Sequence, residues 1–558
     1  MPRASRFIAF PLGVVLTVSA ATAGHASGAG ESAVDIAALR AHTAFLADDL
    51  LRGRDTGSAE YGIAALYAAT RFAEFGLEPG VGESYLQPVQ FVESRVEKPS
   101  IRLTNTAGKR TITGLVPLED YIMTGSVSMP RSKLSADVVY VGYGIVAPEL
   151  GVDSYSGVDV RGKVAVFLSG APATFPSDQR AHHSSRRLKA ELAESRGAVG
   201  ALTIRDRVDE KRVPWQRIIG YASRPRTAWK AADGTIQDAF PALVLGAGLS
   251  RQGAEKLLAG SGTTLDQLLD EAEAGAIRSR ALPVRIDASC ENRITQIESP
   301  NVVGRLPGSD PALAGEYIVV TAHLDHIGVG EAVDGDTIRN GFYDNAMGSS
   351  ILLEVARTVA AAERPRRSVL FVLVTGEERG LLGSDYFATW PTVPSSAIVA
   401  NVNVDMPLLL TPTADLVAFG ADHSSLGALA EKAASGNGFR LAPDPMPEEV
   451  IFVRSDQYSF VRHGIPAINL SPGLTSVDGS DTQQKAFTSF LANNYHRPSD
   501  EIALGADWPS VERFANAEVE LVRLIGNDEA KPRWNEGDFF GDLFGAGRDG
   551  SAGGAGSR

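Results

Sequence analysis

The chain has one cysteine, Cys290, in 558 residues. A single thiol excludes an internal disulfide, and with no motif around it the residue reads as a small buried hydrophobe. Stability must then come from a large core, with bound metal a further source. No Lys/Arg run stands out, and the formal charge is −14, which argues against a nucleic-acid partner. Past the N-terminus no stretch reaches the roughly 18 apolar residues of a spanning helix, so stable membrane insertion is not expected. No internal repeat is found.

What is present begins with Arg3 and Arg6, followed by an apolar stretch from Phe7 to about Ala20. That stretch is too short to cross a bilayer, and small residues with cleavage points after Ala23 or Ala26 come next. Residues 1–26 read as a signal peptide, and the mature protein as secreted or periplasmic. At the other end, residues 545–558 are rich in Gly, Ala and Ser and read as a disordered tail.

Between these ends the pattern changes twice. From Asp35 to about Gly80 apolar residues recur at helical spacing, with Arg52–Ser58 between two helices as a polar connecting loop, a site rim being the alternative. From Asp137 to about Leu282, short apolar runs at 138–144, 163–168 and 200–204 are split by Gly/Pro turns, with helices near 186–195 and 250–258. This stretch reads as a separate β-rich module. Its pair His182-His183 sits in polar sequence with no carboxylate at ligand spacing and is expected to be exposed, with metal binding the lesser alternative. From about Pro300, apolar strands at 317–322, 369–374, 397–404 and 465–470 alternate with helices at 346–362, 381–389, 424–435 and 511–525. Strand–helix alternation implies an α/β fold, a mainly parallel mixed sheet flanked by helices.

In such sheets ligands bind beyond the carboxyl ends of the strands. After the strand at 317–322 comes His323-Leu324-Asp325. After 369–374 come Glu377 and Glu378, and after 397–404 comes Asp405. Asp344 precedes a helix, and His496 lies in a polar loop far along the chain. Adjacent carboxylates raise each other's pKa unless a cation compensates. Two histidines with several carboxylates suit zinc, and more than three carboxylates suit a pair of ions. A lone His at a strand end, or a lone Asp before a helix, is more often structural. Five such residues at one sheet edge are not explained that way. His326, beside Asp325, is expected to hydrogen-bond locally, with a place in the lining of the site as the alternative, and His42, His423 and His463 to be structural.

The set His323-Leu-Asp325, Asp344-Asn345-Ala-Met-Gly348, Glu377-Glu378, Asp405 and His496 resembles the M28 family of zinc peptidases. The resemblance covers about 35–130 and 300–524, and the stretch 135–285 resembles the protease-associated domain inserted in some members. The catalytic domain would therefore be discontinuous, 35–130 and 295–530. The resemblance implies that Asp344 bridges two zinc ions, that His323 and Asp405 complete one ligand set, and that Glu378 and His496 complete the other. It implies Glu377 as general base, Asp325 as the group orienting His323, and Asp344-Asn345 as a candidate cis peptide. Two positions depart from the family pattern, Met347 in place of serine and Gln457 in place of histidine. Arg454, Gln457 and Tyr458 are candidate substrate contacts.

The implied activity is that of an exopeptidase acting on a peptide substrate, with an aminopeptidase favoured. A carboxypeptidase or dipeptidase of the same family is the nearest alternative, with Arg454 and Arg497 available to a terminal carboxylate. A glutaminyl cyclase-like acyltransferase would have a reduced metal site. A non-catalytic receptor-like member would have lost ligands that are present here.

Overall fold

The computed structural model describes residues 33–107 and 110–545. The signal peptide reading, and the tail beyond Gly545, lie outside the described residues. The first two elements are helices α1 (Ile36–Leu46) and α2 (Ala59–Glu74). Asp35 accepts from the N–H groups of Ala37 and Ala38, and the Ser58 hydroxyl accepts from that of Tyr61, so each helix starts on a side-chain cap. Their buried faces, including Leu39, Leu46, Tyr61 and Phe72, join the largest hydrophobic core.

The chain then enters a long strand, β1 (Leu86–Asn105), followed by β2 (Arg131–Tyr140), β3 (Val164–Leu168), β4 (Gly200–Ile204) and β5 (Leu245–Leu249). Helix α3 (Arg186–Ser195) links β3 to β4, and α4 (Trp215–Tyr221) lies between β4 and β5. Strands β2 to β5 pair in parallel, each with the next. The segment is therefore a layered α/β unit rather than the β-rich module read from its Gly/Pro turns, because helices cross between its parallel strands. It has its own core, centred on Leu168, Leu202, Leu249 and Leu268.

That segment does not own a separate sheet. Strand β6 (Arg280–Leu306), 27 residues long, pairs with β2 along its first half. Its last residues, 302–306, pair with β8 (Ser368–Val374), while β7 (Tyr317–His323) lies on the far side of β8. Further strands on this side are β9 (Ile398–Asn403), β10 (Asp415–Phe419), β11 (Arg440–Ala442) and β12 (Ala467–Pro472). The order on this side is β11-β10-β12-β9-β7-β8-β6. The central four strands, β12, β9, β7 and β8, are mutually parallel, and antiparallel β6 and β10 flank them.

Every residue of β8 and β9 is buried, as strands covered on both faces require. Helices α5 (Gly348–Ala361), α6 (Leu382–Thr389), α7 (Leu426–Gly436) and α8 (Trp508–Asn527) supply the cover, each close to where apolar spacing predicts it. No helix among the described residues is long and apolar enough to cross a membrane.

Candidate active site

Parallel pairing of β7, β8 and β9 in near register brings their carboxyl ends together. His323 is the last residue of β7. Gly376, at φ +68°, turns the chain out of β8 and presents Glu377 and Glu378. Asp405 follows β9. Asp344 stands in the turn Phe342–Met347 ahead of α5, where the Asp344–Asn345 peptide is cis. His496 comes from the loop after the helix Thr482–Asn493.

These side chains converge on Asp344. Its Oδ1 lies 3.2 Å from His323 Nε2, and its Oδ2 lies 3.2 Å from His496 Nε2. His323 Nε2 is also 3.1 Å from Asp405 Oδ1, and His496 Nε2 is 3.1 Å from Glu378 Oε2. Asp344 thus joins two half-sites, one with His323 and Asp405, the other with Glu378 and His496. All five side chains implied as ligands are in one place.

The geometry adds a sixth. His326 is fully buried, with Nδ1 2.7 Å from Glu378 Oε1 and 3.8 Å from Asp344 Oδ2. Apart from each other, His326 Nδ1 and Glu378 Oε1 have no partner, and His326 Nε2 has none at all among the described residues. Two triples of donor atoms fall within 4.8 Å of one another, His323-Asp344-Asp405 and His326-Asp344-Glu378. Imidazole and carboxylate donors in this arrangement fit zinc. A buried imidazole and carboxylate with no other partner form a donor set that a cation would complete. Gly341 makes room for this ring, since a Cβ there would come within 2.6 Å of it.

The charges are tightly linked. Burial raises the Asp344 pKa, but His326, His323 and His496 outweigh it and hold the carboxyl well below its usual range. Burial likewise opposes ionisation of Glu378, yet His496 and His326 bring it to about 2. Glu377 behaves oppositely. Burial, helped by Asp405, Glu378 and Asp456 and opposed by His323, pushes it well above the ordinary carboxyl value. Adjacent glutamates are therefore driven apart, one firmly anionic and one ready to hold a proton.

Asp325 corrects an expectation. His323 Nδ1 lies 3.0 Å from the Asp325 backbone carbonyl, so the main chain, not the carboxylate, orients that ring. The Asp325 carboxylate instead accepts from the backbone N–H groups of Glu377 and Glu378 and from the Thr56 hydroxyl. It holds the turn carrying both glutamates.

The loop Arg52–Ser58 therefore does more than connect helices. Besides Thr56, it supplies Arg54, fully buried, whose guanidinium donates to the carbonyls of Leu324, Asn340 and Gly341. Asp55 pairs with Arg379, next to Glu378. Further supports are Ser455, donating to Asp405 Oδ2 at 2.6 Å, and Asp500, accepting from the N–H groups of Tyr343 and Asp344. Sequence reading missed Arg54, Thr56, Ser455 and Asp500. The run Arg-Gly-Arg-Asp-Thr-Gly, dense in polar and turn residues, was the available signal.

A cavity of about 1280 Å³ opens over the site, lined by Asp344, Glu377, Glu378, Asp405 and His496. Arg454 lines it and pairs with Glu449 at 3.1 Å. Gln457 and Tyr458 do not reach it, contrary to expectation. Gln457 is fully buried, accepting from Asn403 and donating to the Phe452 carbonyl. Tyr458 is buried with its hydroxyl 2.9 Å from His182 Nδ1. The same contact corrects the reading of His182-His183 as exposed. His182 packs against Phe539 and Phe544, partners too distant in sequence to be foreseen.

Residues 301–522 match the family model Peptidase family M28. A probable leucine aminopeptidase 2 of Aspergillus fumigatus is 28% identical over 273 residues, 46% of this chain and 49% of that protein. A vacuolar membrane protease of Lachancea thermotolerans is 35% identical over 115 residues, 21% of this chain and 11% of that one. The chain thus spans about half, or less, of the length of these curated relatives. The solved aminopeptidase of Aneurinibacillus sp. strain AM-1 shares the fold, with a TM-score of 0.51 at 18% identity, covering 89% of this chain and 95% of that one. The match to peptidase family M28 covers the segment that carries the site built on Asp344.

Proposed function

We propose that this protein is an exported di-zinc aminopeptidase, releasing N-terminal residues from peptides. The observation that carries the proposal is Asp344, whose two oxygens face separate imidazole–carboxylate sets. His323 and Asp405 would hold one zinc, Glu378 and His496 the other, with Asp344 shared. When bound, zinc supplies Lewis acidity at the scissile carbonyl and lowers the pKa of water.

The protein's own part in the reaction centres on Glu377. Its carboxylate lines the cavity and pairs with no cationic side chain among the described residues, so it is free to move a proton. It takes the proton of the attacking water and delivers it to the leaving amine. Asp325 fixes the backbone of that glutamate, and Arg379, bonded to Asp55 and Glu93, fixes the far side of the turn. Export is inferred from Arg3, Arg6 and the apolar stretch after them. Residues 135–285 are read as an insert in the peptidase unit.

The relatives named aminopeptidases support attack at the N-terminus. Arg454 on the cavity wall favours the second reading, a carboxypeptidase. Comparing free with N-acetylated peptides decides between them. The proposal expects hydrolysis to need a free N-terminal amine. Equal hydrolysis of the acetylated peptides would sink it.

A further inference from the structure

The cavity over the site has a wall from each side of the molecule. One wall is the strand edge bearing Asp344 and the glutamates. The other is helix α4 and the short strand Arg226–Lys230 that follows it, from the segment that 301–522 does not include. Tyr221, at the end of α4, meets His496 edge-on with ring centroids 6.3 Å apart.

This second wall is basic, in a chain whose formal charge is −14. Most arginines around the cavity are already held. Arg379 is bound by Asp55 and Glu93, Arg454 by Glu449, and Arg226 donates to the Gly125 carbonyl. Two are not. The Arg217 guanidinium has no hydrogen bond or ion pair among the described residues, and that of Arg224 has only the Tyr221 ring, 5.0 Å from its guanidinium carbon. Arg224 also faces Arg339, whose pKa is lowered by burial and then by that neighbouring charge. Arg339 in turn donates to the His496 carbonyl at 3.3 Å.

Unpaired guanidiniums that repel a neighbour are a poor way to stabilise a fold. They are a good way to bind a carboxylate, which the planar, permanently charged fork matches. The volume, above the roughly 300–1,000 Å³ of small-molecule pockets, leaves space for peptide beyond the cleaved residue.

We propose that Arg217 and Arg224 bind a carboxylate on the far side of the scissile bond. This rests on the aminopeptidase reading and narrows its substrate class to peptides carrying a carboxylate downstream of the cleaved residue. Two sources share that chemistry, the C-terminal carboxylate of a short peptide and a downstream Asp or Glu side chain.

The test compares kcat/KM of the zinc-loaded full chain on Leu-Ala-Ala, its C-terminal amide, and the amide of Leu-Ala-Glu. The expected result is a preference of about tenfold or more for a carboxylate-bearing peptide over Leu-Ala-Ala amide, the size of one charge-assisted hydrogen bond. Preference for free Leu-Ala-Ala assigns the terminal carboxylate, and preference for Leu-Ala-Glu amide assigns the side chain. In Arg217→Ala/Arg224→Ala the preference collapses toward one, and Arg217→Lys/Arg224→Lys recovers part of it. A preference unchanged in the double alanine variant, or no preference in the unaltered enzyme, overturns this inference alone. Failure to cleave any of the three while N-acetylated peptides are cleaved overturns the aminopeptidase reading, and this inference with it.

Discussion

Two parts of this molecule place buried charge at the carboxyl ends of parallel strands, with opposite results. Beyond β3 and β4, Lys189 is buried at 2% exposure and its ammonium donates to the carbonyls of Leu168 and Gly170. Nearby, Asp206 accepts from the N–H of Asp209, and its own N–H donates to the Ser169 hydroxyl. Each group is answered within the protein. Beyond β7 and β8, Glu378 Oε1 meets only the His326 ring, and His326 Nε2 has no such partner among the described residues. Strand-end geometry alone does not make a site. A site appears where the protein leaves its charges unanswered, because only then does a ligand gain by binding.

This contrast can be broken by mutation. The largest effect is expected at the open end. Glu377→Ala should lower kcat by about 10²–10⁴-fold, the usual range for a general acid–base, with bound zinc unchanged by metal analysis. Loss of zinc in that variant would make Glu377 a ligand instead. His326→Ala should weaken zinc binding by about 10–100-fold in a chelator competition, the scale of groups that support metal ligands. Wild-type affinity would reduce the ring to packing.

At the closed end the same kind of change should touch only stability. Lys189→Met strands two carbonyls and should cost about 1–3 kcal/mol, read as a lower denaturation midpoint, with zinc content and kcat unaltered. The smallest effect concerns His423, which lies 2.6 Å from Asp538 and 3.5 Å from Asp178. Burial opposes its charge, but these carboxylates raise its pKa from 6.5 to about 9. A pKa raised on folding adds stability that is full below 6.5 and is lost as pH climbs through 9. Asp538→Asn should therefore lower Tm at pH 6 and by less at pH 10. An equal drop at both pH values would remove the ionic contribution.

The fold of 300–530 was legible because fully buried strands are continuous apolar runs, and the helices between them keep their spacing. The five residues around Asp344 were legible because each sits at a strand end or a loop that the run predicts. His326 was legible only as the weaker alternative, since the space its ring occupies depends on Gly341, which is distant in sequence. Gln457 and Tyr458 failed for the converse reason. They follow Ser455, which does touch the site, but α-helical geometry turns them into the core. The continuity of the sheet was also hidden, because two strands of 20 and 27 residues cross from one part to the other. Their sequences mark no boundary.

The most direct test of the account is zinc counted per chain as activity on a free N-terminal leucyl peptide is restored to chelator-treated protein. The account predicts two ions at saturation, full recovery, and no cleavage of the acetylated peptide. Saturation at one ion with full activity, or activity that survives complete removal of zinc, would contradict it.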